Sequence, residues 1–221
     1  MLTMKFKGIL FDCDGTVLDS NPLIMNAWRT ATDFFLPGKP VTDYDIRKYF
    51  GRTFDESAQL LAQEFGVEDY NLAELAEVYW NYHNAHPEDI NGVFPTVEEA
   101  LRSLKAKGIK IGIVTSGLNA TCSRELEGLG VRHLFDTIVG ADDVTEGKPH
   151  PQPALICCQR LGVEPQEALL VGDSKHDIAC GNNAGCTTAM VTWTLCDIDK
   201  LEGVEKPDMI IADAKQLLDY V

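Results

Sequence analysis

The chain has 221 residues, 45% of them hydrophobic and 24% charged, the balance of an ordinary globular protein rather than of a disordered or fibrous one. With 19 basic against 34 acidic residues the formal net charge is −15, which argues against a nucleic-acid partner or an anionic membrane surface, since both need clustered Lys and Arg. An anionic substrate must then be drawn in by a metal or by a few placed cations.

In chain order, Phe6 to Phe11 is a short apolar run that stops at Asp12 and reads as a buried strand. The run from Met1 to Gly8 has no signal-peptide architecture, so a cytoplasmic protein is expected. Asn21-Pro22 reads as an N-cap followed by proline at the first helical position, and Ile24, Ala27, Trp28, Ala31 and Phe35 recur at helical spacing until Pro37-Gly38-Lys39-Pro40 breaks the pattern. Thr42 with Asp45 forms a capping-box pair at a second helix, and further helices are expected over 55–65 and 72–85. Residues 20–88 are thus a helical block between strands.

Beyond His86-Pro87 the pattern alternates. Helices are expected over 96–107 (Thr96 and Glu99 as a capping box, Gly108 as the stop), 119–129, 152–161, 176–183 and 214–220. Strands are expected over 109–114, 137–140, 168–171, 187–191 and 209–211. Alternating strands and helices imply a parallel sheet with right-handed crossovers, with ligands bound outside the carboxyl ends of the strands. No apolar run is long enough to cross a bilayer. The seven cysteines lack zinc-site spacing and are read as reduced thiols packing as small apolar residues.

Polar groups collect at three of these strand ends: Asp12-Cys13-Asp14-Gly15-Thr16, Thr115-Ser116-Gly117, and Gly172-Asp173-Ser174-Lys175-His176-Asp177. Gly147-Lys148-Pro149 lies between the last two. On one rim, Asp12, Asp14, Asp173 and Asp177 would repel one another unless something neutralised them. Carboxylates suit Mg²⁺, Lys148 adds a second positive charge, Thr115 offers a hydroxyl, and the N–H groups opening the next helix offer an anion seat. Together they make a site for a phosphate on a metal. His83 and His86 are rejected as a metal pair because no carboxylate shares their helix face. His176 reads as a surface residue, Trp28, Tyr79 and Trp80 as core, and Arg52 after Gly51 as a candidate substrate-binding cation.

These motifs carry a resemblance. Asp12-Cys13-Asp14-Gly15-Thr16-Val17, Ile113-Val114-Thr115-Ser116, Gly147-Lys148-Pro149 with Pro151, and Gly172-Asp173-Ser174 with Asp177 resemble, in order and spacing, the four motifs of the haloacid-dehalogenase-like superfamily. The helical block resembles the small cap of one branch, and the whole pattern is most similar to phosphoglycolate phosphatase and its relatives. The resemblance implies an α/β fold: a Rossmann-like parallel sheet core (1–19 plus 89–221) with an inserted all-helical cap (20–88). It implies a Mg²⁺-dependent phosphatase acting on a small phosphorylated metabolite through an aspartyl-phosphate. Asp12 would be the nucleophile and Asp14 the general acid and base. Thr115, Ser116 and Lys148 would bind the phosphoryl group. Asp12, the Asp14 carbonyl and Asp173 would hold the metal, with Asp177 orienting its waters. Inorganic pyrophosphatase is the nearest rival, Val191-Thr192-Trp193 resembling a strand end seen in some of those enzymes. A β-phosphoglucomutase-like mutase is disfavoured by Ile24 and Gly172, where that group carries a histidine and an acidic residue. A dehalogenase is disfavoured by Asp14, and a metabolite-binding protein with a decayed site by the intact motifs. Neither the specificity residues of the cap nor the oligomeric state can be read from the sequence.

Overall fold

A computed structural model describes residues 6–36, 38–67 and 69–221. Residues 1–5 lie outside the described residues, with the reading made on the chain's opening, and so does Pro37. Six strands form one parallel sheet: β1 (Gly8–Phe11), β2 (Lys110–Val114), β3 (Thr137–Val139), β4 (Ala168–Gly172), β5 (Thr187–Val191) and β6 (Met209–Ile211), in the order β3-β2-β1-β4-β5-β6. β1 and β4 are buried along their whole length. That explains why both read as continuous apolar runs rather than alternating ones.

Successive side chains still point to opposite faces. Ile9, Phe11, Ile111, Ile113, Leu169 and Val171 pack beneath α5 (Val97–Ala106) and α6 (Asn119–Gly128). Leu10, Val114 and Leu170 pack beneath α7 (Gln152–Leu161) and α8 (Lys175–Ala184). The approach of α7 is close: a Cβ on Gly112 of β2 would lie 2.3 Å from the Cys157 sulfur. All seven cysteines are free and six are buried, as expected of small apolar packers.

The helical cap comprises α1 (Asn21–Phe35), α2 (Asp43–Arg47), α3 (Phe54–Glu64) and α4 (Leu72–Ala85) around a core of its own that includes Trp28, Ala31, Ile46, Leu61, Leu75 and Tyr79. Its two ends meet on a short antiparallel ribbon. The Phe94 N–H donates to the Val17 carbonyl at 3.0 Å, Asp19 exchanges main-chain hydrogen bonds with Asn91 and Gly92, and Leu18 pairs with Val93. Among the described residues, no helix is long and apolar enough to cross a membrane.

Three local expectations are corrected. Asn21 is the first helical residue rather than the cap; Ser20 holds the cap position but makes no capping bond, its hydroxyl being committed to Asp14. Thr96 forms no capping box with Glu99, because its backbone is left-handed (φ 68°). Its hydroxyl accepts the Ala214 N–H at 3.3 Å, and Glu99 pairs with Lys215 at 2.7 Å. The segment Ala214–Tyr220 is a 3₁₀ helix, not an α-helix. It is short, and Asp213 and Gln216 satisfy the N–H groups at its start.

Gly112→Ala is expected to destabilise the fold by about 1–3 kcal/mol through overpacking against Cys157. In urea denaturation, Cys157→Ala should recover most of that loss; additive effects in the double variant would refute the contact as the cause.

Candidate active site

β1, β2 and β4 lie side by side at the centre of the sheet, and their carboxyl ends place the predicted residues around one cavity of about 430 Å³. Asp12, Asp14, Thr115, Ser116, Lys148, Asp173 and Arg52 all line it. Asp12 caps β1 and donates its N–H to the Val171 carbonyl at 2.9 Å. The chain then turns back so that the Val17 and Leu18 N–H groups reach the Cys13 carbonyl. Gly15 makes this turn possible. Its φ is +79°, and a Cβ there would lie 2.5 Å from an Asp173 carboxylate oxygen.

Lys148 is the hub of the charged groups. Its ammonium is buried and donates to Asp12 Oδ1 at 2.6 Å, Asp177 Oδ1 at 2.5 Å and the Val114 carbonyl at 3.2 Å. Burial works against its charge, but the carboxylates of Asp12 and Asp177 prevail and keep it protonated. One cation cannot neutralise three acids. Asp12, Asp173 and Asp177 bring carboxylate oxygens within 4.8 Å of one another. Burial lifts Asp173 well above the usual carboxylate range, with the charges of Asp12 and Asp177 adding to it.

Both oxygens of Asp177 are occupied: Oδ1 by Lys148, Oδ2 by the Ser174 N–H (3.0 Å) and hydroxyl (2.6 Å), which form the capping box of α8. The second oxygen of Asp12 and both of Asp173 accept no hydrogen bond among the described residues. Hard oxygens left open beside excess negative charge fit a divalent cation of the Mg²⁺ type.

Asp14 Oδ1 accepts the Ser20 hydroxyl at 2.6 Å, an orienting contact that the sequence reading missed. The Thr115 hydroxyl, buried, accepts the Gly117 N–H at 3.0 Å and so retains its proton for a ligand. Ser116 donates its hydroxyl to the Gly51 carbonyl of the cap at 2.8 Å, which leaves its N–H as its available donor. Gly51 (φ +84°) lets the cap loop sit on α8, where a Cβ would meet the Ser174 hydroxyl oxygen at 2.6 Å. Arg52 follows it into the cavity, its Nε buried without a partner. His176 is buried rather than on the surface, and burial, with Arg52 adding, lowers it to about 4.

Trp28 and Tyr79 serve the cap core, as expected, and with Trp80 they also wall the cavity. His83 and His86 do diverge, His86 turning to exposed Glu88. His83 does meet a carboxylate, though not one of its own helix: Glu125 of α6 faces it across the cap–core seam, with 3.6 Å between Nε2 and Oε1. Forty-two positions separate the two residues, so no local spacing rule joins them. Burial pushes Glu125 up to about 8, with Asp14 adding and Arg124 opposing, and pushes His83 down.

The model of the haloacid dehalogenase-like hydrolase family matches residues 9–191. The chain belongs to that family. A relative, the pyrophosphatase PpaX of Bacillus velezensis, is 34% identical over 218 residues, covering 99% of this chain and 97% of that protein. A haloacid dehalogenase-like hydrolase of Bacteroides fragilis superposes with a TM-score of 0.87 at 29% identity, covering 96% of this chain and all of that one. A predicted phosphoglycolate phosphatase of Haemophilus somnus superposes at 0.84 with 27% identity, covering 96% of each chain. The chain is a hydrolase of the haloacid-dehalogenase-like type, with a parallel sheet and a helical block inserted after β1.

Burial lifts Asp12 from an ordinary 3.8 to about 8, with Asp177 adding and Lys148 opposing. An acid raised in the folded state favours folding below its ordinary pKa and loses that contribution as pH climbs to the folded value. In chelator, the stability of the wild type relative to Asp12→Asn should therefore fall as pH rises from 3.8 to about 8. A difference that stays flat or grows in urea titrations would exclude this cause.

Proposed function

We propose that this protein is a Mg²⁺-dependent phosphatase that hydrolyses a small phosphomonoester through an aspartyl-phosphate on Asp12, with 1–19 plus 89–221 as catalytic core and 20–88 as cap. The observation that carries this reading is the arrangement at Asp12: one oxygen is pinned by Lys148 and the other is open to the cavity. The pinned oxygen fixes the carboxylate's plane, so the open one keeps a constant line of attack on phosphorus.

Asp12, Asp173 and the Asp14 carbonyl would hold the metal, with Asp177 acting on its waters; when bound, the metal offsets the charge of the carboxylates and of the phosphoryl group. Thr115 would donate its hydroxyl to a phosphoryl oxygen, joined by Lys148 and the Ser116 N–H. Asp14, held by Ser20, would give a proton to the departing oxygen and take one from the water that then attacks the phosphoaspartate. The bond from phosphorus to the leaving group breaks as the bond to Asp12 forms, and the second step returns Asp12 and releases inorganic phosphate. Arg52 would meet an anionic group on the substrate.

A second reading, hydrolysis of pyrophosphate, draws support from the likeness to PpaX. Against a phosphomutase stand Ile24 on the cavity wall and the crowding at Gly172, where a Cβ would lie 2.3 Å from that of Asp177.

Phosphate release is to be measured against phosphomonoesters and pyrophosphate with Mg²⁺. Chelator and Asp12→Asn should each abolish turnover, by about 10³-fold or more, and acid-quenched wild type should carry one labile phosphate per chain. Metal-independent release, or release by Asp12→Asn, would sink the mechanism. Arg52→Ala is expected to raise KM about tenfold with little change in kcat for an anionic leaving group; an unchanged KM removes Arg52 from the site.

A further inference from the structure

His83 and Glu125 line the same cavity as the nucleophile, one from α4 of the cap and the other from α6 of the core. His83 is 7% exposed, and its Nδ1 is buried with no hydrogen-bond partner among the described residues. Its Nε2 stops 3.6 Å from Glu125 Oε1, beyond hydrogen-bond length. The Glu125 side chain is 10% exposed and makes no hydrogen bond among the described residues. Native proteins seldom leave buried polar groups unmatched, and here the His83 Nε2 and the Glu125 carboxyl that face each other on one wall make no hydrogen bond among the described residues.

The chemistry of the pair narrows what would match it. A second phosphate or a carboxylate would find no cation in this pair, because burial favours the uncharged form of both His83 and Glu125. An ammonium group can only donate, so it would serve Glu125 and leave a histidine N–H unmatched. A hydroxyl can donate to Glu125 and accept from His83 at once, bridging the 3.6 Å gap. Trp28, Tyr79 and Trp80 nearby present ring faces suited to the C–H side of a hydroxylated carbon chain.

We propose that His83 and Glu125 together bind a hydroxyl on the leaving-group portion of the substrate, which makes the substrate class the monophosphate of a polyol rather than pyrophosphate. The pair is a specificity device, separate from the groups that bind the phosphoryl end, and it rests on the phosphatase reading above. Since half of it belongs to the cap and half to the core, the hydroxyl is recognised only when the two are together.

The test compares kcat/KM for polyol monophosphates, alkyl monophosphates of equal chain length without hydroxyls, and pyrophosphate. The enzymes are full-length wild type, Glu125→Leu, Glu125→Gln and His83→Leu, with Mg²⁺ and with thermal melts as a folding check. The wild type is expected to prefer polyol over alkyl phosphate by about tenfold or more, with pyrophosphate the poorest. That ratio should collapse toward one in Glu125→Leu and His83→Leu and survive in part in Glu125→Gln, which keeps an acceptor oxygen. An equal wild-type rate on both esters, a preference for pyrophosphate, or a parallel loss on both esters in the variants overturns the proposal. Failure of the wild type to hydrolyse any phosphate ester removes the phosphatase reading itself, and this proposal with it.

Discussion

A single buried ammonium organises this active site. Lys148 sits between Asp12 and Asp177, touches both, and is anchored to the sheet through the carbonyl of Val114. Asp12 follows β1, Val114 ends β2 and Asp177 lies in the first turn of α8 just beyond β4, so the lysine ties these three neighbouring segments into one unit. Buried ion pairs of this kind are seldom kept for stability alone, because desolvation consumes most of the Coulombic gain. Here the arithmetic of charge is deliberately unequal: one cation faces three carboxylates. The deficit fits a divalent cation, and on the proposed function that cation would let a chain of net charge −15 offer a binding site to a phosphate.

The rest of the site depends on that hub through short, stiff connections. Asp177 cannot leave Lys148 without also undoing the capping box of α8. Asp14 is reached by Ser20, the residue that opens the first cap helix, so Asp14 and the start of the cap share one hydrogen bond. Ser116 in turn reaches the cap at Gly51. These contacts make the position of the cap visible to the reacting groups without any part of the cap taking part in the chemistry.

Most of the sheet, and the gathering of Asp12, Thr115 and Asp173 at its carboxyl ends, was legible in the sequence, for a physical reason. A strand buried on both faces must be a short unbroken apolar run, and where it meets solvent the run must end in polar residues. Asp12, Thr115 and Asp173 are those endings. The helix start at Thr42 was readable because a capping box is a local bond. The reading placed the first cap on Asn21, whereas Ser20 holds that position with its hydroxyl committed to Asp14, and Thr96 misled it because a left-handed backbone turns its hydroxyl to Ala214 instead. His83 and Glu125 were invisible as a pair because their meeting depends on how the cap lies on the core, and no periodicity within either helix encodes that.

The ribbon that pairs Val17 to Asp19 with Asn91 to Phe94 has a consequence for how such a protein can change. Because both ends of the inserted helices leave and rejoin the core side by side, the insertion imposes no strain on the strands that bear the carboxylates. Helices can lengthen, shorten or change their lining residues while the nucleophile and its lysine stay in register. The carboxylates at the strand ends and most of the wall opposite them are thereby inherited on separate stretches of chain. A lineage built on this plan can explore new substrates by drift in one stretch at little risk to the chemistry held in the other.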